Sequence, residues 1–196
     1  MGSDFTSAIR PSLVMTLLFA LLVGLAYPLV ILGIGQTVFP SQANGSLVYD
    51  GGKVVGSTVI GQAFTSDRYF QTRPSAAGKG YDGLNSSGSN FGPTSKDLVT
   101  RIKGDIAKRR AEGVTGPLPA DLVTASGSGL DPDLSPEAAL AQVPRVAKAR
   151  GLAQGDLRAL VNRAVEKPIL GLLGEPHVNV FVLNRQVDQL SAQKGR

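Results

Sequence analysis

"SLVMTLLFALLVGLAYPLVILGIG", residues Ser12–Gly35, is the stretch on which the reading of this fold turns. It is almost continuously apolar, and no charged residue occurs anywhere between Pro11 and Tyr49. At 1.5 Å per residue its 24 positions reach about 36 Å as a helix, against about 30 Å of bilayer hydrocarbon. Its Leu, Ile, Val and Phe residues favour insertion by roughly 4 to 8 kcal/mol. Gly24, Tyr27, Pro28 and Gly33 reduce that figure without reversing it. The stretch therefore reads as a transmembrane helix. A cleaved signal peptide ending at Ser41-Gln42-Ala43 fits less well, because signal cores run to about 7–15 residues behind a clearly basic start. Here Asp4 offsets Arg10, and the apolar run is too long. A lipid-modified cysteine is excluded, since the chain has no cysteine.

Orientation follows from the basic residues. Arg10 stands just ahead of the span, whereas the next one, Lys53, comes well after it. Positive charge stays on the cytoplasmic side, so the N-terminus is expected inside and the remainder outside. The chain then divides into a cytoplasmic tail (1–11), a transmembrane helix (12–35), a linker (36–45) and a soluble domain (46–196). Within the span, Ala20 and Gly24 are four apart, a spacing that lets helices approach closely in lipid. Pro28 lacks a backbone donor and is expected to disturb the helix.

Beyond the linker the pattern is mixed. Asp50-Gly51-Gly52 between two β-prone runs predicts a hairpin. Residues 63–95 form a long Gly- and Ser-rich stretch, punctuated by Phe64, Tyr69, Phe70, Tyr81 and Phe91. The aromatics are expected to pin it to the domain body. Ser95 predicts a helix cap, with Leu98, Ile102 and Ile106 repeating every four residues and Gly113 as the stop. Ser135-Pro136-Glu137 opens a second helix ending near Arg150-Gly151. A third is expected over 156–166. The alternation of His177–Asn184 predicts a half-buried strand. The fold class is thus a single N-terminal transmembrane α-helix followed by an α+β soluble domain.

The chain carries a net charge of +5, all of it retained when the first 35 residues are set aside. Much of the excess lies in Ser95–Gly113 and Arg145–Arg150, both helix-like, where basic side chains form a wet face. No nucleic-acid partner is expected.

Ser126-Gly127-Ser128-Gly129 precedes a helix start, so its amides could cradle an anion or simply let the chain turn. It lacks the Lys of a phosphate-binding loop and the G-x-S-x-G of a nucleophile elbow. One histidine, His177, and no cysteine make zinc improbable. Asp131 and Asp133 lack the rest of a calcium loop; with Glu137 they form the one close acidic cluster. No self-sufficient active site, metal site or bound cofactor is expected.

Several segments, in order, resemble the KdpC family, the C subunits of the Kdp potassium-transporting P-type ATPase. They are the single span, "NGSL" (44–47), "IGQAF" (60–64), "YFQTRPSA" (69–76), "SSGSNFGPT" (86–94), "DLVTASGSGLDP" (121–132), "QVPRVAKARG" (142–151) and "LGEPHVNVFVLN" (173–184). Two positions depart from the pattern: a histidine is usual at Asp133 and an arginine at His177. The resemblance implies a bacterial inner-membrane complex. In it a P-type ATPase subunit hydrolyses ATP, a channel-like subunit selects K⁺, and a small single-span subunit accompanies them. Membrane lipid surrounds the anchor. It also implies a subunit required for assembly that raises the ATP affinity of the hydrolytic subunit, with Gln142, Ser126, Gly127 and Ser128 near a shared nucleotide. The inferred orientation conflicts with that last point, because an external loop meets no ATP. Two alternatives stay open, a catalytic chaperone touching ATP directly and a free-standing anchored module for an anionic polymer or lipid surface.

Overall fold

A computed structural model describes residues 2–194, which leaves Met1, at the head of the expected tail, and Gly195 and Arg196, at the end of the expected domain, outside the described residues. The chain divides into two compact units, with the boundary in sequence between Leu47 and Val48.

The first unit is helical. Helix α1 (Gly2–Leu21) passes through a π-helical turn, Leu22–Ala26, into α2 (Tyr27–Val38). The π turn lies directly ahead of Pro28, whose ring in a uniform α-helix would press on the carbonyl of residue 24. Widening the turn, with the Tyr27 N–H bonded to the Leu22 carbonyl, absorbs that conflict. The part apolar enough to cross a membrane is Thr6–Val38, 33 residues, or about 50 Å. Its side chains are uncovered throughout. The helix thus outruns the Ser12–Gly35 stretch at both ends, and the expected linker contains a short helix, α3 (Pro40–Ala43).

The predicted hairpin, β1 (Leu47–Asp50) and β2 (Lys53–Ser57), starts at that boundary, with all but Leu47 in the second unit. Gly51 and Gly52 both have positive φ, 55° and 79°, as the favoured two-residue hairpin turn requires. Helix α4 (Lys96–Ala111) begins where expected, its first turn capped by the Ser95 hydroxyl accepting from the Leu98 N–H. Its inward face differs from expectation: Ile106 is exposed and the buried residue is Arg109. A 3-10 turn at Ala120–Leu122 leads to β3 (Asp133–Leu134). Helix α5 (Pro136–Arg150) is capped by Ser135 and stopped by Gly151 in the left-handed conformation, as predicted.

Helix α6 (Gln154–Ala164) starts and ends two residues earlier than expected. Val165 and Glu166 leave the helix to form β4, pairing with Val178 and His177. The central strand β5 is short, His177–Asn179, in a sheet of order β3-β5-β4. The predicted strand does not continue to Asn184, because α7 (Val180–Lys194) begins there. Asn179 caps that helix by accepting from the Val182 N–H. Val180, Leu183 and Val187 are fully buried, and Leu190 packs on the same core. These positions step by three and four, which satisfies a helix as well as the core. Helices α5, α6 and α7 close over the sheet around Phe70, Leu122, Leu134, Val146, Leu157 and Val178.

Candidate functional site

Residues 63–95 contain no regular element, yet Phe70, Gln71, Thr72 and Ala77 within them are buried in the domain. Two side-chain amides hold them. Asn184, on α7, accepts from the Phe70 N–H (2.8 Å) and donates to the Phe70 carbonyl (2.9 Å). Gln142, on α5, does the same for the next peptide: Oε1 accepts from the Gln71 N–H (2.8 Å) and Nε2 donates to the Gln71 carbonyl (3.0 Å). The N–H and carbonyl of each residue are thus both bonded by one side-chain amide, as a paired residue in a sheet would bond them. That satisfies buried backbone groups which otherwise carry a desolvation cost.

Gln142 is 1% exposed. Beyond Gln71, its Oε1 accepts from Arg145 Nη2 (2.7 Å), and its Nε2 donates to the Ala138 carbonyl (3.3 Å). Both oxygen lone pairs and both amide hydrogens are therefore committed inside the domain. Gln71 in turn accepts through its own side chain from Arg109 Nη1 (2.7 Å), and Arg109 reaches Glu112 at 3.0 Å. Arg145 lies 3.9 Å from the same carboxylate. Burial holds the Arg145 guanidinium below its ordinary pKa, while Glu112 and Asp67 pull it back up. The network is an internal brace of two arginines around one glutamate.

The Ser/Gly loop is held by different partners. Ser126 is buried and its hydroxyl accepts from the Gly129 N–H (2.8 Å), an internal turn bond. The Ser128 carbonyl accepts from the Ser87 N–H (3.0 Å) and the Ser86 hydroxyl (2.9 Å), and the Gly129 carbonyl from the Ser75 hydroxyl (2.6 Å). Gly129 has φ 67°, and a β-carbon there would lie 2.6 Å from the Ala77 nitrogen and 2.7 Å from the Ser87 oxygen. Only glycine fits this crossing. Gly127 and Ser128 remain exposed. Gln142 is bonded to Gln71, Ala138 and Arg145, whereas the loop is fastened to the 75–88 segment through the Ser128 and Gly129 carbonyls.

The expected acidic cluster divides. Asp131 and Asp133 line a cavity of about 200 Å³ with Asp121, Glu175, His177 and Arg73. Glu137, turned away by the Ser135-Pro136 helix start, lines another of about 320 Å³ with Pro117, Leu140 and Arg158. Asp131 is paired with Arg73 at 3.0 Å. The two positions that depart from the expected pattern are neighbours: His177 Nε2 lies 4.0 Å from Asp133 and 3.7 Å from Glu166. Burial raises the Asp133 carboxyl above its ordinary range, against the pull of His177. Among the described residues no group of three or more His, Cys, Asp or Glu is placed to hold a metal. In the first unit, Gly24 has open space around its Cα, and Ala20 and Pro28 are uncovered.

The holding roles of Gln71, Asn184 and Arg109 were not read from the sequence. The signal available was weak: an amide one helical turn from two buried apolar positions, as with Asn184 beside Val180 and Val187.

Residues 9–189 match the family model described as "KdpC: K+-transporting ATPase, c chain". The chain is 55% identical over 183 residues to the potassium-transporting ATPase KdpC subunit of Caulobacter vibrioides (strain NA1000 / CB15N), covering 93% of each. It is 52% identical over 192 residues to that of Rhodopseudomonas palustris (strain TIE-1), covering 92% of this chain and 96% of the relative. With that of Methylobacterium nodulans it shares 53% identity over 197 residues, covering 94% and 98%. A family model spanning nearly the whole chain, and relatives above half identity over nearly their full length, carry one conclusion: the chain belongs to the KdpC family, subunits of the potassium-transporting ATPase.

Proposed function

We propose that this chain is a non-catalytic accessory subunit of an ATP-driven K⁺ uptake complex in a bacterial inner membrane. Its apolar N-terminal helix anchors it with the N-terminus in the cytoplasm, and the C-terminal domain lies outside. There it supports assembly with the channel-like, P-type ATPase and small single-span subunits. Its influence on ATP affinity is transmitted through the assembled complex and not by touching nucleotide. The observation that carries this reading is the state of Gln142. An amide with all four hydrogen-bonding positions used inside the domain has nothing left to offer a ligand, and freeing it would orphan the Gln71 peptide. The Ser/Gly loop supports the same reading, since the Ser126 hydroxyl is used in the loop's own turn and the 128 and 129 carbonyls are occupied in holding the 75–88 segment.

Sidedness tests it directly. Ser128 is exposed and the chain has no cysteine, so a Ser128→Cys variant in an active complex can be treated with a membrane-impermeant maleimide in intact cells. Labelling from outside keeps the loop away from ATP. Labelling only after the inner membrane is opened reverses the orientation and makes direct nucleotide contact, the catalytic-chaperone alternative, the better account.

A further inference from the structure

The β4–β5 connection carries the densest uncovered apolar surface of the second unit. Ile169, Leu170, Leu172 and Leu173 fall within five positions, with Leu170 87% and Leu172 85% exposed. Leu84 is also highly exposed but stands alone in sequence. Single exposed leucines are ordinary, whereas contiguous ones mark a contact surface. The connection is also shaped. The Ile169 N–H and Leu173 carbonyl, and the reverse pair, bond at 3.0 Å each. The Gly171 N–H closes on the Pro168 carbonyl, also at 3.0 Å. Leu170 and Gly171 have φ of 55° and 72°. A left-handed leucine is uncommon and is retained only where its surroundings hold it.

The charge around this turn is reversed relative to the chain. Glu166 and Glu175 stand at its two feet, and Asp121, Asp131 and Asp133 line the cavity beside Glu175. Facing these five carboxylates are Arg73, paired with Asp131, His177, between Asp133 and Glu166, and Lys167 beside Glu166, in a chain whose net charge is +5. An apolar tip on an acidic base does not suit a bilayer surface, whose anionic headgroups attract basic and repel acidic side chains. Nor does a fluid bilayer reward a fixed turn. A protein pocket does, because a tip already held in its bound shape loses less freedom on docking.

We propose that residues 168–174 form a docking knob that inserts into an apolar pocket, rimmed by basic side chains, on another protein subunit of the same potassium-transporting ATPase. The proposal rests on the reading of the chain as an assembling subunit. Pocket and rim divide the work: the leucines supply the affinity, and Glu166 and Glu175 set the orientation.

The test is co-purification of the other subunits with the tagged full chain, comparing wild type with Leu170→Asn/Leu172→Asn. Asparagine tolerates positive φ and both side chains are solvated, so the urea midpoint should not move. Recovery of the partner subunits is expected to fall at least tenfold, and recovery equal to wild type would overturn the proposal. A Leu172→Cys chain carrying an environment-sensitive fluorophore separates the occupants. A blue shift in phosphatidylethanolamine/phosphatidylglycerol vesicles only when the partner subunits are present supports the knob. The same shift in vesicles holding this chain alone gives the tip to lipid and overturns it. Deleting the whole chain separates the two readings. If the remaining subunits still assemble and transport, the subunit role fails and the knob with it. If they do not, while the asparagine variant assembles normally, only the knob fails.

Discussion

Replacing Gln142 by alanine should unfold the domain more readily rather than weaken nucleotide binding. The substitution strips partners from the Gln71 N–H, the Gln71 carbonyl and Arg145 Nη2, all inside the domain. A buried polar group left unmatched costs about 1–3 kcal/mol. Water entering the space left by the side chain would satisfy part of that set, so we take the low end, about 3–5 kcal/mol. That is a large share of the roughly 5–15 kcal/mol that holds a domain folded. With a urea slope of about 2 kcal/mol/M, the midpoint should fall by about 2 M. Equilibrium urea unfolding of the full chain in detergent, followed by far-ultraviolet circular dichroism, reads this directly. A midpoint within about 0.3 M of wild type, together with a weakened KM for ATP in the assembled complex, would refute the reasoning. Gln142 would then be free to meet a ligand.

Other outcomes follow from the same structure. Gly129→Ala places a methyl against backbone atoms of Ala77 and Ser87 at positive φ and should cost about 2–4 kcal/mol. Gly127→Ala, with nothing within 4 Å of its added carbon, should change the same urea midpoint by no more than about 0.5 kcal/mol equivalent. Ser135→Ala removes the cap accepting from the Ala138 N–H and should cost about 1 kcal/mol in the same assay. Burial lifts the Asp133 carboxyl, with Asp131 and Glu166 adding to the rise and His177 and Asn179 opposing it. The folded state therefore binds that proton more tightly than the unfolded chain. Its stabilising contribution is full below the ordinary carboxylate pKa of about 4 and is lost as pH rises through the folded value. Asp133→Asn should accordingly raise the thermal midpoint at pH 7, with the gain shrinking toward pH 4. An equal gain at both pH values would show that the charge is not the cause.

The anchor, the hairpin and both serine caps were legible because each depends on neighbours a few residues away. Charge-free apolar length, paired glycines at a turn, and a hydroxyl three residues ahead of an N–H are local facts. The third helix and the last strand were misjudged for the opposite reason. Val165 and Glu166 leave a helix to pair with residues 177 and 178, a choice made by the sheet. His177–Asn184 alternates well enough for a strand, but Val180 and Leu183 also fit the first turn of a helix whose core-facing stripe continues through Val187 to Leu190. Sequence alone thus determined the membrane-apt helix, the α+β class and, through ordered motifs, the family. Tertiary structure decided which groups Gln142 and the Ser/Gly loop bond to. Whether an amide points at a ligand or closes on a backbone 71 residues away depends on which chain segments the core brings together, and no local spacing encodes that.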